Sequence, residues 1–450
     1  MVSPQPDVIP GRLNAAEIEK NFADLHPPLT KSEALIAADR CYFCYAAPCT
    51  AACPTGIDIP RFIQSIRSGD IEGAARTILS ENIMGGMCAR VCPTEVLCEQ
   101  ACVRNHHEEK PVDIGLLQRY ATDPVLDAGT QLFERAEPSG KHVAVVGGGP
   151  AALSCAHRLA CLGHVVTIMS RDGKLGGLNE FGIAAYKTVD DFAQREVAYI
   201  LAIGGIEVTT GVALGRDLSL AQLCRGYDAV FLAVGLAGVN RLGLESEDMP
   251  GAIDAVKYIA ELRQAADKSQ LPVGRRIVVI GGGMTAIDVA VQSKWLGAED
   301  VTIVYRRGQE QMSASRFEQE LAQRSGVRIK HWARPVRLVG KKHVTRIEFE
   351  YTRESPDGGL EGTGETFALN ADIVFKAIGQ EITWDELGAA AGVLRLRDGR
   401  IAVDANRKTA LDNVWAGGDC IAGGKDLTVT AVQDGKLAAQ AMDAYLRAGG

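Results

Sequence analysis

A chain of 450 residues, 46% apolar and 23% charged, is long enough for about three packed domains and has the balance of a soluble globular protein. The net charge of -8 argues against nucleic acid as the main partner, and no apolar run is long enough to span a bilayer, so neither nucleic acid nor membrane is expected. Twelve cysteines with no secretory signal in front of them suggest a reducing cytoplasm rather than a disulfide-stapled fold.

In chain order, residues 1 to 30 carry Pro4, Pro6, Pro10, Pro27 and Pro28 with little periodicity, and read as an extended arm. Thr30 and Glu33 form a capping-box pattern that starts a helix to Arg40. The chain then reaches Cys41, Cys44, Cys49 and Cys53-Pro54. After two predicted short helices, Arg61 to Arg67 and Ile71 to Ser80, come Cys88, Cys92-Pro93, Cys98 and Cys102.

The first run is close to the ferredoxin pattern C-x2-C-x2-C-x3-C-P, whose fourth cysteine ligates the other cluster of a pair; it departs by a longer gap between Cys44 and Cys49. By that logic Cys41, Cys44, Cys49 and Cys102 hold one [4Fe-4S] cluster, and Cys53, Cys92 and Cys98 contribute to a second. Cys88 would complete the second by count alone. Zinc also takes four thiolates, but its sites usually show two separated C-x2-C pairs, so the spacing favours iron and sulfur. Cys155, Cys161, Cys224 and Cys420 lie in apolar contexts and read as core residues. His106 and His107 sit in a charged stretch to Lys110 and read as a solvated loop; residues 123 to 140 read as a linker.

From Lys141 the pattern changes to a buried strand, Gly147-Gly148-Gly149, and a helix opening on Pro150, Ala151 and Ala152. Gly147 makes the tight turn, Gly149 admits a pyrophosphate at the helix N-terminus, and Ala152 keeps helix and strand close. The second strand ends in Ser170, where an acid normally holds the ribose; Asp172 could stand in. Gly177 and Leu178 supply permissive backbone beside a large flat ligand.

A second copy follows, with Gly281, Gly283, Met284, Thr285 and Ala286 as its turn and helix start. Its second strand ends in Arg306-Arg307, which suit a 2'-phosphate or else form a surface pair. Ala377-Ile378-Gly379 and Gly418-Asp419 end two further strands, and the latter feeds a helix from Thr428. This strand end and helix resemble the segment that closes over the flavin in two-dinucleotide flavoproteins; the resemblance implies that Asp419 holds the ribityl chain and that the helix N-terminus stabilises negative charge on the reduced ring.

On these cysteine runs, the two glycine turns and the segment Asp113 to Thr122, the chain resembles the PreT-type subunits of bacterial NAD(P)-dependent dihydropyrimidine dehydrogenase. It is more distantly similar to the small subunit of glutamate synthase. The resemblance implies an α/β chain: a helical N-terminal iron-sulfur domain at 1-138, then two nested Rossmann-like domains. FAD would be bound by 139-250 with 377-450, and NAD(P)H by 251-376. It implies Gln118 rather than Cys88 as the eighth cluster ligand, and puts Lys187 at the flavin where an arginine is common. Ser313 stands where NADPH-using relatives carry a third arginine, which leaves the coenzyme open. The implied activity is electron entry: NAD(P)H reduces FAD, two [4Fe-4S] clusters carry electrons singly, and a PreA-type partner with FMN and iron-sulfur centres reduces uracil or thymine, in a heterotetramer. Delivery to glutamate synthase or another acceptor is the alternative.

Overall fold

The computed structural model describes residues 7-394 and 396-449; Pro4 and Pro6 of the expected arm lie outside the described residues. The chain folds as two units. The smaller is built from Met1–Leu25, Phe181–Val189 and Val239–Gln380, the larger from His26–Glu180, Asp190–Gly238 and Glu381–Gly450.

The larger unit begins with a helical head. Thr30 accepts from Glu33 N–H and Glu33 bonds back to Thr30, starting helix Lys31–Asp39; Asp58 and Asp70 cap Ile59–Ser68 and Ile71–Glu81 by accepting from the Arg61 and Gly73 N–H groups, with Gly69 left-handed between them. Phe62, Ile63, Ile66, Ile78, Leu117 and Ala121 share one core, and Cys41, Cys49, Cys53 and Cys98 pack at its margin. Two expectations are corrected here. The linker begins later than residue 123, because helix Ile114–Ala128 runs through Pro124: Val125 and Leu126 are buried, which outweighs the bond that proline cannot make, and left-handed Gly129 ends the helix. The charged loop at His106 is instead a short helix, Arg104–Glu108, although both histidines are exposed.

A five-stranded parallel sheet follows, in the order Val414–Ala416, Ala229–Leu232, His142–Val146, Val165–Ser170, Ile206–Thr210. Four of these strands are near-continuous apolar runs buried on both faces, as such a sheet requires, while the edge strand Ile206–Thr210 is largely exposed. Helix Pro150–Cys161 packs against helix Thr428–Arg447, and Gly435 makes this possible: a Cβ there would lie 2.3 Å from the Ala151 carbonyl oxygen.

The smaller unit repeats the plan. Its parallel sheet runs Arg328–Lys330, Asp300–Val304, Arg276–Ile280, Ile373–Lys376, Ala252–Asp254, beside an antiparallel sheet of Ala333–Gly340, Val344–Glu354 and Leu360–Asn370. Residues 7-25 belong here and not to the helical head. Val8–Ile9 pairs with Val273–Gly274, a capping box between Asn14 and Glu17 starts helix Ala15–Asn21, and Phe22 meets Trp295 edge to face at 6.0 Å. Burial of Ile18 and Phe22 in this core is the physical reason that the segment is not an extended arm. Residues 377-380 also stay with this unit, beyond the boundary expected at 376.

Candidate functional site

In the larger unit, strand His142–Val146 ends at Gly147, whose φ of 119° is open only to glycine; a Cβ would lie 2.0 Å from Ala233 O. The loop at 176-178 crosses this turn. Gly176 N–H donates to Gly148 O at 2.7 Å, and a Cβ on Gly177 would lie 2.7 Å from Gly149 Cα. Ser170 is buried, its Oγ 2.8 Å from where a Gly148 Cβ would stand, while Asp172 is half-exposed beside Arg171.

The chain returns to the same place much later. Gly418, positioned by its N–H to Asp434 Oδ2 at 2.9 Å, approaches Ala151, while Thr428 Oγ1 donates to Asn179 Oδ1 at 2.6 Å. Gly147, Gly149, Pro150, Ala151, Gly177, Leu178, Gly418 and Thr428 thus converge from three stretches of chain. Asp419, the residue after Gly418, is half-buried. Burial, with the charge of Asp426, pushes its carboxyl up to about 6. A partly desolvated carboxyl is a suitable hydrogen-bonding partner for a polyol, so the residues fit the flavin's ribityl chain.

The cysteines form two neighbourhoods. Burial raises Cys41, with Cys44 and Cys102 adding to it, and burial pushes Cys49 up to about 11, with help from Cys102 and Cys41. Cys92 is raised by a hydrogen bond with Cys88, then by burial and by Cys98 and Cys53; Cys98 is raised by burial, then by Glu99, Cys53 and Cys49. Thiols that repel one another as thiolates need a bound cation to ionise, which suits an iron-sulfur core. No three His, Cys, Asp or Glu among the described residues are grouped to hold a single metal ion. Gln118 is buried, and its Nε2 donates at 2.6 Å to the carbonyl of Gly85, the first residue of the helix Gly85–Val91 that carries Cys88 and leads to Cys92.

Two contacts join the glycine turns to the cysteine head. Asn179, held by Thr428, reaches Met84 Sδ with its Nδ2 at 4.0 Å, immediately before the Cys88 helix. Lys436, buried in helix Thr428–Arg447, donates at 2.7 Å to the carbonyl of Thr55, two residues beyond Cys53, and pairs with Glu81 at 2.8 Å. Neither Asn179 nor Lys436 has a recognisable sequence signal, since each acts through partners hundreds of residues away.

Glu196 is a third residue that sequence reasoning missed. It is fully buried, its Oε1 accepts the Met87 N–H at 3.0 Å, and its Oε2 has no hydrogen-bond partner among the described residues. Burial pushes it up to about 8, against the pull of the Gly86 and Met87 N–H groups and of Arg90, with Asp123 adding to the rise. The folded state therefore favours the neutral acid. Stability is full below the unfolded pKa, falls as the unfolded chain alone ionises between about 4.5 and about 8, and is level above that. Glu196→Gln is expected to remove this slope, a difference of up to a few kcal/mol at pH 8. Melting temperatures of both proteins from pH 5 to 9 check it: parallel curves would assign the burial no cost.

In the smaller unit, Gly281 has φ 145°, and a Cβ would lie 2.1 Å from Ala377 O. Helix Met284–Trp295 starts at Gly283, so Met284, Thr285 and Ala286 sit at its N-terminus opposite Ala377, Ile378 and Gly379. Asn240 Nδ2 fixes Ile378 O at 3.2 Å. Arg306 and Arg307 follow the neighbouring strand, and Ser313 Oγ lies 3.2 Å from a Gly283 Cβ position. Lys187, expected at the flavin, is buried in this unit instead. Its ammonium lies 2.7 Å from Asp288 and 2.7 Å from Glu318, and these carboxylates need the charge that a ligand would otherwise use.

Residues 18-130 match the family model described as dihydropyrimidine dehydrogenase domain II, 4Fe-4S cluster, and residues 141-435 match pyridine nucleotide-disulphide oxidoreductase. The chain is 35% identical to the NAD-dependent dihydropyrimidine dehydrogenase subunit PreT of Salmonella typhimurium, over 95% of this chain and 98% of that one. It is 34% identical to the glutamate synthase [NADPH] small chain of Escherichia coli, over 94% of each. Mycobacterium tuberculosis FprA in complex with NADPH is similar in fold, with a TM-score of 0.59 at 20% identity over 70% of this chain and 85% of that one. Thioredoxin reductase of T. acidophilum has a TM-score of 0.52 at 20% identity over 69% of this chain and 100% of that one. The chain belongs to the family of the NAD-dependent dihydropyrimidine dehydrogenase subunit PreT, and is an NAD(P)-dependent oxidoreductase that carries FAD and 4Fe-4S chemistry.

Proposed function

We propose that the chain is the electron-entry subunit of a dihydropyrimidine dehydrogenase, working with a PreA-type partner that holds FMN and further iron-sulfur centres and reduces uracil or thymine to the 5,6-dihydropyrimidine. The observation that carries this reading is Asn179, which joins the helix start at Thr428 to Met84 at the head of the Cys88 helix. When bound, FAD would supply two-electron hydride chemistry with NAD(P)H, and the iron-sulfur clusters held by the cysteine head would supply one-electron transfer. The chain's own residues hold and insulate. Gly147, Gly149 and the N-terminus of Pro150–Cys161 receive a pyrophosphate, Asp419 a ribityl hydroxyl, and the start of Thr428–Arg447 offers free N–H groups to negative charge on the ring.

Cys41, Cys44, Cys49 and Cys102 are assigned to one cluster, and Cys53, Cys92, Cys98 and Gln118 to the second. The Gln118 Nε2 bond to Gly85 supports the last assignment, because it commits the amide nitrogen and leaves the carbonyl oxygen as the ligating end. An amide in place of a thiolate removes one negative charge, a change that alters the potential.

Anaerobically purified protein is expected to reduce an artificial dye with NAD(P)H but to leave uracil untouched until a PreA-type partner is added. Uracil reduction by the isolated chain would overturn the division of labour. A second reading, supply of a glutamate synthase large subunit, is favoured by the 34% identity to a glutamate synthase small chain. Turnover of glutamine plus 2-oxoglutarate with that subunit, and none of uracil with a PreA-type partner, would select it.

A further inference from the structure

We propose that Trp332 is a positioning residue for coenzyme selection: it braces the Arg306-Arg307 pair as a 2'-phosphate site, so that the chain prefers NADPH although its PreT relatives are named NAD-dependent. This rests on the reading of the smaller unit's glycine turn as the nicotinamide coenzyme site.

The first observation is the charge of the pair. Arg306 is exposed and Arg307 half-buried, and neither guanidinium has an ion-pair or hydrogen-bond partner among the described residues. Their neighbours in the same unit differ: Arg328 pairs with Asp300, Arg334 with Glu350, Arg337 with Glu348 and Arg353 with Glu361. An unneutralised pair directly after Asp300–Val304 stands where a dinucleotide fold meets the ribose 2' position, and guanidinium forks suit a phosphate there. A ribose hydroxyl would call for an acid instead.

The second observation is the backbone. Trp332 has φ 59°, a left-handed conformation unusual for a bulky side chain and maintained only where the surroundings over-determine it. Here they do. Trp332 N–H donates to Arg307 O at 3.2 Å, Thr352 N–H donates to Trp332 O at 2.9 Å, and Thr352 Oγ1 donates to Arg306 O at 2.7 Å. The indole lies against Gly308, where a Cβ would come within 3.0 Å of its Cζ2. Both carbonyls of the pair are therefore tied to Trp332 and to the strand Val344–Glu354, and a side chain at 308 would press on the indole and on Gln311. Such a brace fixes two long cationic side chains at their roots, which lowers the entropy lost when they close on an anion. Ser313, exposed near Gly283, offers a hydroxyl to the same region in place of a third arginine.

The test uses the purified holoenzyme and two probes that lack nicotinamide, 2',5'-ADP and 5'-ADP, titrated calorimetrically. The wild type is expected to bind 2',5'-ADP about tenfold tighter or better, as charge-assisted contacts to one phosphate allow. Arg306→Ala with Arg307→Ala is expected to abolish the preference and leave 5'-ADP affinity unchanged. Trp332→Ala is expected to lower the preference at least about threefold with kcat for saturating NADH retained, since a positioning loss falls on binding and not on the chemical step. Thr352→Val, which removes only the bond to Arg306 O, should act in the same direction and serves if the Trp332 variant does not fold. Equal affinity of the wild type for the two probes would overturn the inference, as would an unchanged preference in both Trp332→Ala and Thr352→Val. Failure of both probes to bind would instead count against the coenzyme site itself.

Discussion

Gly147→Ala protein is expected to emerge without flavin, at under about a tenth of the wild-type flavin-to-protein ratio, since a loss of about 1.4 kcal/mol is already tenfold in occupancy. The methyl group would sit 2.0 Å from Ala233 O and 2.7 Å from Ala233 C. That neighbour is main chain, anchored by the Ala233 N–H bond to Val146 O at 2.8 Å, and has no rotamer into which to retreat. The φ of 119° adds its own penalty for any residue with a Cβ. Strand and turn must part, and the N-terminus of Pro150–Cys161 moves with them. Gly173→Ala is the control: its Cβ meets nothing within 4 Å, and its flavin absorbance should match the wild type. Full flavin content in Gly147→Ala would show that the turn has freedom the geometry denies.

Lys187→Met is expected to destabilise the smaller unit by about 3–5 kcal/mol, the cost of breaking a buried ion pair by removing one partner. Burial alone would lower this ammonium's pKa, but Asp288 and Glu318 outweigh it and hold the lysine charged. The methionine fills similar space and supplies no proton donors. Asp288 would keep weak support from Tyr186 Oη at 3.4 Å and Ala184 N–H at 3.3 Å. Adding Asp288→Asn and Glu318→Gln should recover much of the loss, because the uncompensated charge causes it, not the missing lysine. Urea unfolding of the single and triple variants decides this. If the triple variant is as unstable as the single one, packing and not charge is responsible.

The parts of this molecule legible in its sequence are those whose chemistry is local. Cysteine spacing, glycine turns after β-branched strands and the Thr30–Glu33 box each carry their meaning within a few residues. The α/β class with two nested Rossmann-like domains followed from the resemblance that these motifs carry. The Asn14–Glu17 box was equally local and went unread, because the prolines around it suggested an arm. Lys187 illustrates the opposite limit. Only the family resemblance placed it at the flavin; its partner Glu318 lies 131 positions away, and no periodicity announces such a pairing. The exchange of 181-189 into the other unit is invisible for the same reason: its anchor is Tyr186, fully buried 4.6 Å from Trp295. Trp332 offers no signal at all until its backbone angle is known.

The contact between Thr428 and Asn179 also bears on how the protein is made. Thr428 leaves the ribosome long after Gly147, at about 5–20 residues per second a delay of tens of seconds. The flavin cradle therefore cannot close while the nascent chain is still short. The eight front cysteines emerge early and wait through most of elongation, so oxygen and iron supply during translation bear on how much of the protein is fully loaded.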